Sequence, residues 1–242
     1  MKIFALLIFL LPCISSAQQR STYSFSLGGG AIWKQNIRND NQYDKSDENT
    51  ELRAIPMARI KIGPLEIAGP NIKLKLPRYK FIAPYISLKR SGERYYGPGM
   101  DWRKDSWFGE AGLNIMMFKL SYSKDIQGRS SGEIFSISYS GRYFLGPVML
   151  SYTLSHNFLD REFSNYYYGV RSHEVTSTRN YYSPSSGGAT SVALSPIWII
   201  NKNWSLFNSV KHTFLGSKVK NSPTVARDSY LTIVSGLTYK FN

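Results

Sequence analysis

The chain holds three imidazoles, His156, His173 and His212, so general-base or triad chemistry would have to run through one of them. His156 lies near the end of an alternating segment, His173 adjoins Glu174 in a long polar stretch, and His212 stands between Val210 and Phe214 on a strand-like run. None belongs to a recognisable Ser-His constellation, and no His-x-x-Glu-His or similar zinc spacing occurs. The expectation is a non-enzymatic chain without catalytic residues, metal or cofactor. Lysine offers the other chemistry. Lys73, Lys75, Lys119 and Lys211 fall on the polar faces of alternating segments, and in a closed barrel those faces point into the lumen, where clustered cations favour anions. Pairing with Glu110 and Glu133, or plain solvation, is the competing account. Asp40, Asp44, Asp47, Glu48 and Glu51 lack the spacing of a calcium loop and read as a solvated stretch. Gly28-Gly29-Gly30 lacks the Lys-Ser/Thr of a phosphate loop and reads as a place where the wall bends.

The elements that would position these groups follow a leader. Met1 to Ala17 carries Lys2, an apolar run from Ile3 to Leu11, then Pro12 and the small residues Ser15 and Ala17, the layout of a secretory signal peptide. The single cysteine, Cys13, follows Pro12 where a lipoprotein signal requires a small residue. Cleavage after Ala17 leaves no thiol, so disulfides and cysteine metal sites are not expected to hold the fold. The net charge is +14. Behind a signal peptide this points away from nucleic acid and towards outer-membrane lipid and lipopolysaccharide phosphates.

From Thr22 onward, short runs alternate apolar and small polar residues. Phe135, Ile137 and Tyr139 oppose Ser136, Ser138 and Ser140, and Val148, Leu150, Tyr152 and Leu154 oppose Ser151, Thr153 and Ser155. With 17 Tyr, 5 Trp and a mean hydropathy of −0.28, this is the pattern of strands with one face in lipid and one in a polar lumen. Tyr143 and Tyr152 suit an interfacial girdle. Long polar connections are expected near 34–51, 90–105, 157–188 and 216–227, with tight turns at Met116-Met117, Gly146-Pro147 and Asn201 to Asn203. If all tight turns lie on one side, parity allows 10 or 12 strands, according to whether Leu52 to Pro77 descends once or three times. Gly63-Pro64 and Gly69-Pro70 favour 12. The expected fold is thus all-β, a closed antiparallel transmembrane barrel over residues 18–242.

The last strand is the most telling. Leu231, Ile233, Leu237, Tyr239 and Phe241 alternate with polar residues, and Ser235, Gly236, Tyr239 and Phe241 fill the positions of the terminal signal by which barrels are passed to the assembly machinery. This strand should close the barrel against Thr22 to Trp33.

Tyr166-Tyr167-Tyr168-Gly169-Val170, followed by Tyr181, Ser183 and Pro184, then Asn203-Trp204-Ser205-Leu206, Asn221-Ser222-Pro223 and the closing strand, resembles the MipA/OmpV family of outer-membrane proteins. The likeness covers the last 80 or so residues well and the chain from Leu52 more loosely; Asn242 departs from it, since members typically stop at the aromatic residue. The resemblance implies an outer-membrane barrel acting as a scaffold between murein-degrading and murein-synthesising enzymes, or as an adhesion or surface protein. A small porin or binding barrel for anions is the rival expectation, and a lipid-modifying barrel enzyme the third. The tyrosine cluster is expected either to rest on the barrel mouth or to offer a partner surface.

Overall fold

Alternation with a period of two makes strands of almost every regular segment. The computed structural model describes residues 23–38, 40 and 50–241; the expected signal peptide and Asp44, Asp47 and Glu48 lie outside the described residues. Among these there are twelve strands: β1 (Tyr23–Gln35), β2 (Thr50–Ile62), β3 (Leu65–Ala68), β4 (Asn71–Lys75), β5 (Ile82–Ser91), β6 (Ser106–Ile115), β7 (Phe118–Asp125), β8 (Glu133–Leu145), β9 (Val148–Leu159), β10 (Gly187–Ile199), β11 (Trp204–Leu215) and β12 (Ser229–Phe241). Each pairs with its chain neighbours, and β12 pairs with β1, so the sheet is a closed barrel. The expected architecture and the favoured strand count both hold. Following the registers once round the wall displaces the starting residue by about 16 positions, a shear that inclines twelve strands at roughly 40–45°. About eight strands enclose just enough space for side chains to fill, so a twelve-stranded wall leaves a hollow unless something plugs it.

The wall is uneven in one sector. Leu52 to Pro77 does form three strands, with turns at Gly63-Pro64 and Gly69-Pro70, where both glycines take the left-handed φ that side chains resist (54° and 55°). However, β3 has 4 residues and β4 has 5, against roughly 9–11 for a membrane crossing. They make a half-height hairpin at the tight-turn end of the barrel. Beyond Arg59, towards Thr50, β2 has register partners on its β1 side only among the described residues. Pro56 sits in that stretch, where a missing amide proton removes a donor from the edge. Pro84 causes no bulge: the β5–β6 register runs through Pro84 opposite Leu113, and the Pro84 carbonyl accepts from Leu76 N at 2.9 Å just past the end of β4.

The glycine triplet does not bend the wall by a bulge either. Gly28 and Gly30 face inward where β1 meets β12, and a Cβ on either would strike the Leu237 or Ser235 carbonyl. Their opposite number Gly236 is equally confined, by Met57 Sδ and, at 2.9 Å, Gly29 O. The seam that closes the barrel is therefore a backbone-to-backbone contact that only glycine admits. Phe241 stacks on Phe25 across it, ring centroids 5.1 Å apart.

The long connections gather at one end and the tight turns at the other. The excursion between β9 and β10 was expected to be irregular, yet it opens with α1 (Arg161–Tyr168), whose N-cap Asp160 accepts from Phe163 N at 2.9 Å. A single turn at Ser172–Glu174 follows, and α2 (Ser217–Lys220) lies between β11 and β12. Phe163, Tyr167 and Tyr168 pack with Val219, Ile37 and the inward strand ends Phe108, Ile134, Leu159 and Leu215. This core fills the loop end of the barrel.

Candidate functional site

The loop end is sealed by polar clamps as well as apolar packing. Arg38, 3% exposed, ties its own segment to three others: it donates to the Thr224 hydroxyl and, at 2.6 Å, to the Tyr167 carbonyl, pairs with Glu93 at 3.5 Å, and lies 4.1 Å from the Tyr95 ring centroid. Burial alone would raise the Glu93 carboxyl, but Lys34 and Arg38 outweigh it and hold it below the ordinary carboxylate range. The second clamp is Arg103 with Glu174, each 1% exposed and 2.7 Å apart. Glu174 also accepts from Arg171 N at 2.8 Å and Asp101 N at 2.9 Å, so hydrogen bonds again override burial and keep its carboxyl low.

Asp101, His173 and Glu174 bring ligand-type atoms within 4.8 Å of one another. Both carboxylates are already engaged in ion pairs. Arg103 occupies Glu174, and Arg171 with His173 occupies Asp101; two guanidinium ions already supply the charge a cation would bring.

Tyr167 and Tyr168 of the family motif are buried under this cap. The Tyr167 hydroxyl donates to Lys104 O at 3.0 Å, Ser222 donates to the Tyr168 carbonyl at 2.6 Å, and Val170 bridges Tyr182. Gly92, at φ +93°, lies against the Tyr167 ring where any side chain would collide. Tyr166 is half-buried and Gly169 buried, and both line with Tyr181 and Tyr182 a groove of about 420 Å³. Tyr167 and Tyr168 thus pack into the barrel mouth.

Below the cap the lumen is hollow. Inward residues near the loop end, such as Ser106, Phe108, Ser191, Thr213 and Thr232, are buried, while those nearer the turns, Asn114, Ser140, Arg142 and Lys240, are exposed. Mid-wall Lys211 is exposed to this space. Among the described residues the barrel is a cup, packed at the loop end and open at the turns. Its charge lies mainly on the β2–β7 sector. Glu110 accepts from the Tyr85 hydroxyl at 2.8 Å, Ser123 at 3.2 Å and Ser87 at 3.3 Å, and pairs with Lys89 and, at 3.3 Å, Lys119. Glu66 is shared by Lys75 at 3.0 Å and Arg59 at 2.5 Å. Lys73 has no carboxylate within bonding distance among the described residues; its ammonium stands 4.8 Å from the Tyr85 ring centroid.

The four lysines named from sequence are therefore all lumenal, and two of them, Lys73 and Lys119, line one cavity of about 250 Å³ with Lys89, Glu66 and Glu110. Lys211 stands apart on β11. Of the suggested carboxylate partners, Glu110 serves Lys119, but Glu133 belongs to the outer face of β8 and pairs with Lys124 at 2.8 Å. Sequence reasoning missed Lys89 and Tyr85, because the register that brings β5 beside β6 is not readable from spacing. His156 and His212 face the lipid side and bond Thr190 and Ser229 hydroxyls at 2.8 and 3.0 Å. Neither imidazole has a carboxylate partner among the described residues, so nothing there orients a catalytic base.

Comparison with known proteins agrees with this architecture. Over 258 residues the chain is 22% identical to the MltA-interacting protein of Escherichia coli (strain K12), covering 100% of this chain and 99% of that one. It is 23% identical over 249 residues to the putative outer membrane protein YiaT of the same organism, covering 97% and 96%. The outer membrane protein OmpV of Vibrio cholerae matches at 23% over 120 residues, half of this chain and 47% of its own. The family model described as MltA-interacting protein MipA matches residues 23–241. With twelve strands closed on a terminal aromatic seam and a match spanning the whole described barrel, the chain belongs to the MipA family of outer-membrane β-barrels.

Proposed function

We propose that this barrel is a non-catalytic envelope scaffold, sealed towards the cell surface and working from its periplasmic end, where it docks a murein-processing enzyme. The observation that carries the reading is the cap: a mouth closed by Arg38, the Arg103–Glu174 pair and a tyrosine-rich core is poorly suited to free passage of solutes. The relatives named for interaction with MltA supply the partner class.

The turn end offers a docking surface. Its longest connection, 76–81, presents Arg78, Tyr79, Lys80 and Phe81, with Tyr79 68% and Phe81 54% exposed. The turns at 63–64, 116–117, 146–147 and 200–203 contain no acid, and Arg142, Lys202 and Lys240 add cations to the rim. Exposed aromatics among basic residues suit an acidic partner surface. Surface plasmon resonance with the purified barrel and a lytic transglycosylase of the MltA class tests this. Binding should weaken at least tenfold when 78–81 becomes Gly-Ser-Gly-Ser, and the scaffold reading fails if the unaltered barrel does not bind.

A further inference from the structure

The cup contains a feature that docking at the rim does not use. On the β2–β7 wall, Arg59 and Lys75 pair with Glu66, Lys89 and Lys119 pair with Glu110, and Lys73 lines the same cavity with no carboxylate of its own among the described residues. Glu110 is saturated by three hydroxyls and two lysines, and it fixes Tyr85 beneath the cluster. The Lys73 and Lys119 ammonium groups both rest on that ring, 4.8 and 5.2 Å from its centroid. Each has N–H donors left over, and both point into the same cavity of about 250 Å³. Low-dielectric walls strengthen the field of such a shelf. Among the described residues the turn end is the open side of the cup, so the shelf is reached from the periplasm.

We propose that this shelf is a binding site for small multivalent anions carrying carboxylate or phosphate groups, entering from the periplasmic side. The inference rests on the orientation adopted above but not on the docking partner. Lys73 and Lys119 supply the charge, the Tyr85 ring orients them, and the Asn71 amide at the cavity edge is placed to donate to a remaining oxygen. Selectivity is for charge and size, because planar carboxylates and tetrahedral phosphates meet mobile point-charge ammonium groups rather than a rigid fork.

Calorimetric titration of the folded barrel in neutral detergent, with citrate and with pyrophosphate at low ionic strength, reads the site directly. At least one should bind with 1:1 stoichiometry, and the K73Q/K119Q double variant should lose tenfold or more in affinity. That variant should fold, shown by heat-dependent gel mobility, because Glu110 keeps Lys89 and three hydroxyls. Binding by neither anion, or equal affinity in the double variant, overturns the site. Sidedness is read separately: a lumenal S140C variant should react with a large maleimide-polyethylene glycol only after the periplasm is opened. Reaction in intact cells would overturn periplasmic entry while leaving the detergent result standing.

Discussion

Glu174 and Arg103 stand 71 residues apart in sequence and 2.7 Å apart in the cap, both out of water. Removing one partner of a buried pair strands the other, at a typical cost of about 3–5 kcal/mol. Glu174→Gln should therefore loosen residues 161–186 without opening the strands. Hydrogen exchange, corrected for intrinsic rates, should show faster exchange there and unchanged protection in β6 to β12; uniform protection would mean the pair is not a clamp. Acid should act in the same way. The Glu174, Glu93 and Asp101 carboxyls are all held below their ordinary values, burial notwithstanding, by facing guanidinium, ammonium and imidazole groups. Depressed carboxyls contribute their full stability above the ordinary carboxylate range, near pH 4.5, and lose it as pH falls through the lower folded values. The contribution of these three carboxylates should thus stay constant from roughly pH 5 upward and fade below it, loosening the cap. None of this was legible beforehand, because ion pairs between loops depend on how the loops fold over the mouth. His173 was visible as a neighbour of Glu174, but not that Arg171 and Arg103 would claim the carboxylates around it.

Strands were far more legible than loops, for a physical reason. Lipid on one side and water on the other impose a period-two code on each crossing, and the alternating runs Phe135 to Ser140 and Val148 to Ser155 fall within β8 and β9. The seam strand was legible too, and the structure gives two of its residues a packing role: no Cβ fits at Gly236, and Phe241 stacks on Phe25. Aromatic pairs of this kind contribute about 0.5–1.5 kcal/mol beyond burial, and here the pair lies on the seam between the first and last strands. Deleting Phe241 together with Asn242 should leave the chain unassembled, seen as loss of heat-dependent gel mobility and of outer-membrane fractionation. Normal assembly would remove this strand's special role. In contrast, α1 was hidden because its eight residues, Arg161–Tyr168, are held by tertiary contacts of Phe163, Tyr167 and Tyr168 rather than by length or propensity.

At the scale of the whole molecule, cap and cup make one prediction together. In planar bilayers the intact barrel should give no steady conductance. Replacing 160–186 with a short Gly-Ser connection should open it and yield anion-selective steps, since the lumen wall keeps its lysines; cation-selective steps would contradict the charge layout. The uneven wall carries a different consequence. Where β3 and β4 stop at half height, the neighbouring acyl chains lose the apolar surface that the other strands provide, and the bilayer must pinch in one leaflet on one flank. Such mismatch costs fractions of a kcal/mol per ångström, enough to give the barrel a compass bearing within the membrane. Two copies approaching each other relax more strained lipid when their low flanks meet than at any other angle. A missing half of two strands thereby sets how these molecules crowd, through the elasticity of the sheet they float in and without any protein contact.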